Sequence, residues 1–172
     1  MERVILVDER DREVGFAEKM QAHAEGLLHR AFSVFVFDGE GRLLLQRRAL
    51  SKYHSGGLWS NTACGHPRPG ETVAGAARRR LAEEMRVGCE LRPGFEFIYR
   101  AELDNDLTEY EYDHVLVGSF DGEPRPDPAE VGDWRWVGLE ELRGELAARP
   151  ERYSYWLRVV LESAEWRRLL AA

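Results

Sequence analysis

Apolar residues come in short alternating or continuous runs over the first third of the chain. VILVD (4–8) and EVGFA (13–17) read as short strands, and AFSVFVFD (31–38) and RLLLQRR (42–48), separated by Gly39, Glu40 and Gly41, read as a hairpin. Between Glu71 and Val87 the period changes. Val73, Ala77, Leu81 and Met85 recur every four residues with charges between them, the pattern of a helix of about four turns entered at Pro69-Gly70. FEFIYRAEL (95–103) and YEYDHVLVGSF (110–120) read as strands joined by a turn at Asp104-Asn105-Asp106. After the proline-rich EPRPDPAE (123–130), a last strand is expected at Trp134–Val137, then helical stretches at Leu139–Ala148 and Tyr155–Leu170. The pattern predicts an α/β (α+β) protein. No repeat or linker interrupts it, so residues 1–172 are read as one domain.

Composition narrows the class. An apolar content of 44% is enough for a real core. The apolar runs fall far short of the roughly 20 residues needed to cross a bilayer, and no leading basic-plus-apolar segment resembles a signal peptide. A cytoplasmic protein with no membrane partner is expected. Cys64 and Cys89 are too few for a disulfide framework and read as free thiols in a reducing compartment. A net charge of −7 argues against nucleic-acid binding, which requires a basic face. An anionic ligand would therefore be met by local positive charge, and of 24 basic residues only Lys19 and Lys52 are lysine.

Gly65, Glu71, Arg79, Glu83 and Glu84 fall at fixed offsets: Gly, five residues, Glu, seven residues, Arg, three residues, Glu-Glu. This spacing resembles the Nudix box. The resemblance implies a loop and helix whose carboxylates hold a hard divalent cation that neutralises a diphosphate. Two positions depart from the hydrolase form, Arg80 where a Glu follows the Arg and Arg86 where a Gly closes the box. A guanidinium at position 80 removes a metal ligand and supplies a phosphate-binding fork.

Further stretches, EKMQAH (18–23), LLHRAFSVFVF (27–37), RRALSKYHSGGLWSNTACGHPRPGE (47–71), Tyr99 to Glu111 and YSYW (153–156), resemble one branch of that superfamily, the type 1 isopentenyl diphosphate isomerases. The resemblance implies a Nudix fold, a mixed sheet between helices, and interconversion of isopentenyl and dimethylallyl diphosphate; a monomer is expected. It implies that Cys64 and Glu111 transfer protons, with Tyr99 a hydrogen-bonding helper and Trp156 facing a carbocation. His23, His29, His66, Glu109 and Glu111 would ligate one Mn²⁺ or Zn²⁺, which suits mixed imidazole and carboxylate ligands. Glu84 would ligate a Mg²⁺ on the diphosphate, held also by Lys19, Arg48, Lys52 and Arg80. Glu109 and Glu111 alternate on a predicted strand and so share a face. His23 and His29 are six residues apart, off any helical repeat, and reach one ion only if split between a helix end and a strand start. His54, His114 and Cys89 are read as ordinary surface or core residues. The alternative reading is a Nudix hydrolase of a nucleoside or other diphosphate.

Overall fold

The apolar run at 31–37 is nearly continuous because both faces of its strand are buried. In the computed structural model, which describes residues 1–172, it forms β3 (His29–Phe37). Phe32, Val34 and Val36 pack with Leu44, Leu81 and Met85 on one side, whereas Phe35 packs with Leu43, Leu45, Leu142, Leu157 and Trp166 on the other. The helix that carries Leu81 and Met85 covers the first face, and three C-terminal helices cover the second, giving the expected sheet between helices.

The chain enters through an antiparallel pair, β1 (Arg3–Val7) and β2 (Glu13–Glu18), followed by α1 (Lys19–Glu25). Gly26, at φ +64°, ends α1 in the left-handed conformation that glycine adopts without strain, and the chain reverses into β3. His23 therefore sits in the last turn of a helix and His29 opens a strand, the split that their spacing required.

The expected hairpin is made only at its tip. β3 and β4 (Leu43–Arg48) pair at Phe37 and Leu43 and then diverge. The wedge between them is the segment carrying β5 (Trp59–Ser60), which pairs with β4, and β6 (Ala63–Gly65), which pairs with β3. Thr62 holds it in place: its Oγ1 donates to Leu44 O (2.7 Å) and accepts from Val36 N (2.9 Å). Asn61 Nδ2 adds bonds to Val34 O (3.1 Å) and Ala63 O (2.8 Å). The wedge sets Cys64 directly opposite Ser33 of β3.

The helix foreseen between Glu71 and Val87 is α2 (Val73–Met85), shorter at each end because Thr72 caps it, accepting from Gly75 N (3.1 Å), and Arg86 turns left-handed at φ +54°. Two long strands follow, β7 (Leu91–Glu102) and β8 (Thr108–Ser119), antiparallel to each other around the foreseen turn. β8 runs parallel to β3 with His29 beside Glu111. β9 (Val131–Val137), three residues longer than foreseen, pairs with β4.

Beyond α3 (Leu139–Ala148), the single helix expected over Tyr155–Leu170 is two, α4 (Tyr155–Glu162) and α5 (Ala164–Ala171). Ser163 breaks it: at ψ 152° its Oγ donates to Val160 O (2.7 Å) and accepts from Trp166 N (3.1 Å). A serine that can bond both flanking backbones competes with helix continuation. No helix is long and apolar enough to cross a membrane.

Glu145 of α3, Arg135 of β9 and Tyr153 form a cluster that anchors the approach to α4. The Arg135 hydrogen bond holds the Glu145 carboxyl below its ordinary range. A lowered carboxyl contributes stability above its unfolded value, near 4.5, and loses it as pH falls through the folded value. Glu145→Gln is expected to lower the melting temperature at pH 7 by about 1–3 °C, the effect of a partly exposed pair worth about 0.5–1 kcal/mol. The gap from wild type should narrow as pH falls below the unfolded value in thermal melts across pH; a gap that is constant with pH would contradict the ion-pair origin.

Candidate active site and metal centre

A cavity open to solvent lies where α1, α2, α4, β3, β6, β7 and β8 converge. Lys19, Arg48, Lys52, Cys64, His66, Arg80, Glu84, Tyr99, Glu109, Glu111 and Trp156 all line it. His23 and His29 lie behind its wall, fully buried. The thirteen side chains inferred from the resemblance are thus brought to one place, eleven lining the cavity and the two buried histidines behind them.

Glu109 and Glu111 share one face of β8, and a single phenol bridges them. Tyr99 Oη is 2.6 Å from Glu109 Oε2 and 2.8 Å from Glu111 Oε2. Burial beside those two charges raises the Tyr99 hydroxyl well above its usual range, so it stays a donor. The opposite oxygens face imidazoles: Glu111 Oε1 lies 2.9 Å from His66 Nε2 and 3.4 Å from His29 Nε2, and Glu109 Oε1 lies 3.9 Å from His23 Nε2. Burial alone would raise the Glu111 carboxyl, but the neighbouring imidazoles of His29 and His66 outweigh it and hold Glu111 well below the carboxylate range. Burial pushes His66 down to about 4, which leaves its ring neutral at pH 7.

The donor set fits a divalent ion. His23 Nδ1 and His29 Nδ1 each bond a backbone carbonyl, Lys19 O and Leu27 O, both at 2.7 Å. Those bonds fix the ring orientations and leave Nε2 of each facing inward, buried and without a hydrogen-bond partner. His23, His29, His66 and Glu111 each offer an atom within 4.8 Å of the others. Orphaned imidazole nitrogens beside ionised carboxylates are costly unless a cation lies between them.

Cys64 lines the cavity from β6 and packs against Tyr99 and Trp156. Burial pushes its thiol up to about 12; Arg48 opposes the rise, and Glu84, Glu109 and Glu111 add to it. Trp156, in the first turn of α4, is held by its Nε1 donating to Asn61 Oδ1 (3.0 Å), and the Arg48 guanidinium lies 5.2 Å from its ring centroid.

The helix of the box is not uniformly functional. Glu71 takes Arg79 in a two-pronged bond (2.8 and 2.9 Å) that ties the loop to α2, and Glu83 turns toward Arg79 and Arg80 at the surface. Only Glu84 faces the cavity, buried and held by Gln46 Nε2 (2.6 Å) and Arg80. The cations expected at the diphosphate position are mostly answered by acids in this structure. Lys19 pairs with Glu2 (2.9 Å), Lys52 with Glu130, and Arg80 with Glu84 and Glu130. Arg48 alone lacks an acidic partner and donates to His54 O (3.1 Å).

Glu2, Glu130, Gln46 and His54 escaped sequence reasoning. The first three are isolated polar residues outside any motif, and His54, expected to be an ordinary surface or core residue, is buried in the cavity wall. His114 and Cys89 keep their ordinary reading: His114 bonds Asp11 (2.9 Å) away from the cavity, and Cys89 packs at the edge of the core.

The family model for the NUDIX domain matches residues 27–158, and the chain belongs to the Nudix family. A Deinococcus radiodurans protein, DR0079, has a similar structure, with a TM-score of 0.71, 26% identity, and 86% of this chain and 90% of that one covered. The MutT protein of Methanosarcina mazei, 19% identical at a TM-score of 0.64 over 84% of this chain and 94% of its own, shares the fold. Within the family the chain is 58% identical to isopentenyl-diphosphate Delta-isomerase 2 of Aromatoleum aromaticum over 94% of its own length and 85% of that protein. It is also 58% identical to the isopentenyl-diphosphate Delta-isomerase of Burkholderia multivorans, over 95% of this chain and 93% of that one. The chain belongs to this isomerase family.

Proposed function

We propose that the protein interconverts isopentenyl diphosphate and dimethylallyl diphosphate, as a cytoplasmic monomer in which residues 1–172 form one catalytic domain. The observation that carries this reading is the meeting, in one cavity, of a protonated thiol, an ionised carboxylate and four basic side chains.

The substrate's carbon–carbon double bond is unactivated. A proton added to its terminal CH₂ leaves a tertiary cation, and a proton removed from the neighbouring CH₂ forms the new double bond; the diphosphate stays attached throughout. Cys64 and Glu111 divide these two transfers, and because the reaction reverses, each gives a proton in one direction and takes one in the other. Tyr99 bonds the outer oxygens of Glu109 and Glu111 and fixes both carboxylates. Lys19, Arg48, Lys52 and Arg80 bind the diphosphate, exchanging their internal acids for phosphate oxygens. Trp156 offers a π-face that stabilises a cation by about 2 kcal/mol when desolvated and cannot trap it covalently. The apolar cluster of Cys64, Tyr99 and Trp156 keeps water from the cation, which water would convert to an alcohol.

His23, His29, His66, Glu109 and Glu111 would hold a Mn²⁺ or Zn²⁺, and Glu84 would hold a Mg²⁺ shared with the diphosphate. These ions supply charge that neutralises the carboxylates and the diphosphate.

Incubation with isopentenyl diphosphate is expected to yield dimethylallyl diphosphate with no phosphate released, and nucleoside diphosphate derivatives are expected to remain intact. Release of nucleoside monophosphate at enzymatic rates, with isopentenyl diphosphate untouched, would make the protein a hydrolase instead. The turned-out Glu83 and the paired Glu71 argue against that outcome, because they leave the helix one carboxylate for metal.

A further inference from the structure

A fourth imidazole faces the buried carboxylates. His54 is 2% exposed, and its Nε2 lies 3.1 Å from Glu109 Oε1 without making a hydrogen bond to it or to any other group. Its Nδ1 is engaged with Ser55 Oγ at 3.1 Å. Edge-on packing against Tyr53 and Trp156 holds the ring, with centroids 4.4 and 5.7 Å away.

The loop that delivers it is tightly built. Ser55 adopts φ +52°, a left-handed conformation unusual for serine, and its N–H donates to Asp104 Oδ1 (3.1 Å). At Gly56 a Cβ would stand 2.7 Å from Leu50 O, so the backbone passes too closely for any side chain. A strained and over-determined loop that aims one orphaned nitrogen at a carboxylate oxygen points to a ligand between them.

The spacing fits. Two ligands at right angles on an ion with bonds of about 2.1 Å stand about 3 Å apart, and the His54–Glu109 separation matches this edge, as does His66–Glu111 at 2.9 Å. His54, His23 and Glu109 offer atoms within 4.8 Å of one another. His23 belongs both to that group and to the His29, His66 and Glu111 group, yet has only Nε2 free, because Nδ1 is committed to Lys19 O. The two groups therefore meet at that single nitrogen, and an ion bound to it has His54 and Glu109 on one side and His29, His66 and Glu111 on the other.

We propose that His54 is a sixth protein ligand, through Nε2, to the ion held by His23, His29, His66, Glu109 and Glu111. The proposal rests on the metal-centre reading above, and its test separates the two. Protein labelled with ¹⁵N-histidine is loaded with ¹¹³Cd²⁺, and direct ¹¹³Cd–¹⁵N coupling is read from the ring resonances. Of five histidines, four Nε2 signals should be split, with only His114 unsplit, and His54→Ala should lose one split signal and bind metal at least tenfold more weakly in chelator competition. The wild-type count stands by itself if that variant does not fold. Three split rings with His54 unsplit would overturn the proposal and leave the metal centre intact, whereas no split ring would overturn both.

Discussion

Cys64→Ala protein is expected to fold, to hold its metal and to lose at least about 1,000-fold in turnover. Fold and chemistry separate here because β6 is held by its backbone pairing to β3 and by Thr62 and Asn61, none of which uses the Cys64 side chain. Deleting the sulfur removes a small contact with Tyr99 and Trp156, worth about 1 kcal/mol. The catalytic loss is far larger: a positioned proton-transfer group contributes about 100- to 10,000-fold even where the substrate is activated, and an unactivated alkene gives water no competing route. Steady-state kinetics beside circular dichroism and elemental analysis check the separation. A well-folded variant with appreciable turnover would remove Cys64 from the mechanism.

The second large effect is expected at His29. His29→Ala should reduce bound transition-type metal from about one ion per chain to a small residue, and isomerisation with it. His29 is fully buried, and the bond from Nδ1 to Leu27 O aims Nε2 at Glu111. Alanine would remove a ligand and leave Glu111, already buried, with one imidazole fewer. An ion bound only by the folded state stabilises it by about 2.7 kcal/mol when present at a hundred times its dissociation constant. Stripping wild type with a chelator should therefore lower its melting temperature by about 5–10 °C. The same treatment should hardly move His29→Ala. Full metal occupancy in His29→Ala would show the ligand set to be wrong at that position.

The parts of this protein legible in sequence are those governed by local periodicity. Val73, Ala77, Leu81 and Met85 mark α2 because one helix face meets the core, and the alternation at Glu109 and Glu111 places both carboxylates on one side of β8. The six-residue spacing of His23 and His29 already demanded a break between helix and strand, which Gly26 provides. Other features depend on distant partners. β5 and β6, at two and three residues, are too short for any period, and they exist because β4 and β3 splay apart to receive them. Box spacing singled out both Glu83 and Glu84, but one residue is about 100° around a helix, and only the packing of α2 on the sheet decides that Glu84 faces inward. His54 carries no motif, and its significance comes from a tight loop folding back over Glu109.

The central claim is that the cavity carries one proton onto the carbon chain and takes another off while leaving the diphosphate alone. It is tested most directly by incubating the metal-loaded protein with isopentenyl diphosphate in deuterated water and following the carbon skeleton by NMR. Cys64 and Glu111 exchange their protons with solvent, so the account predicts dimethylallyl diphosphate with deuterium in the methyl group formed at the former terminal CH₂, and no free phosphate. Rearranged product without deuterium, or phosphate release without rearrangement, would contradict it.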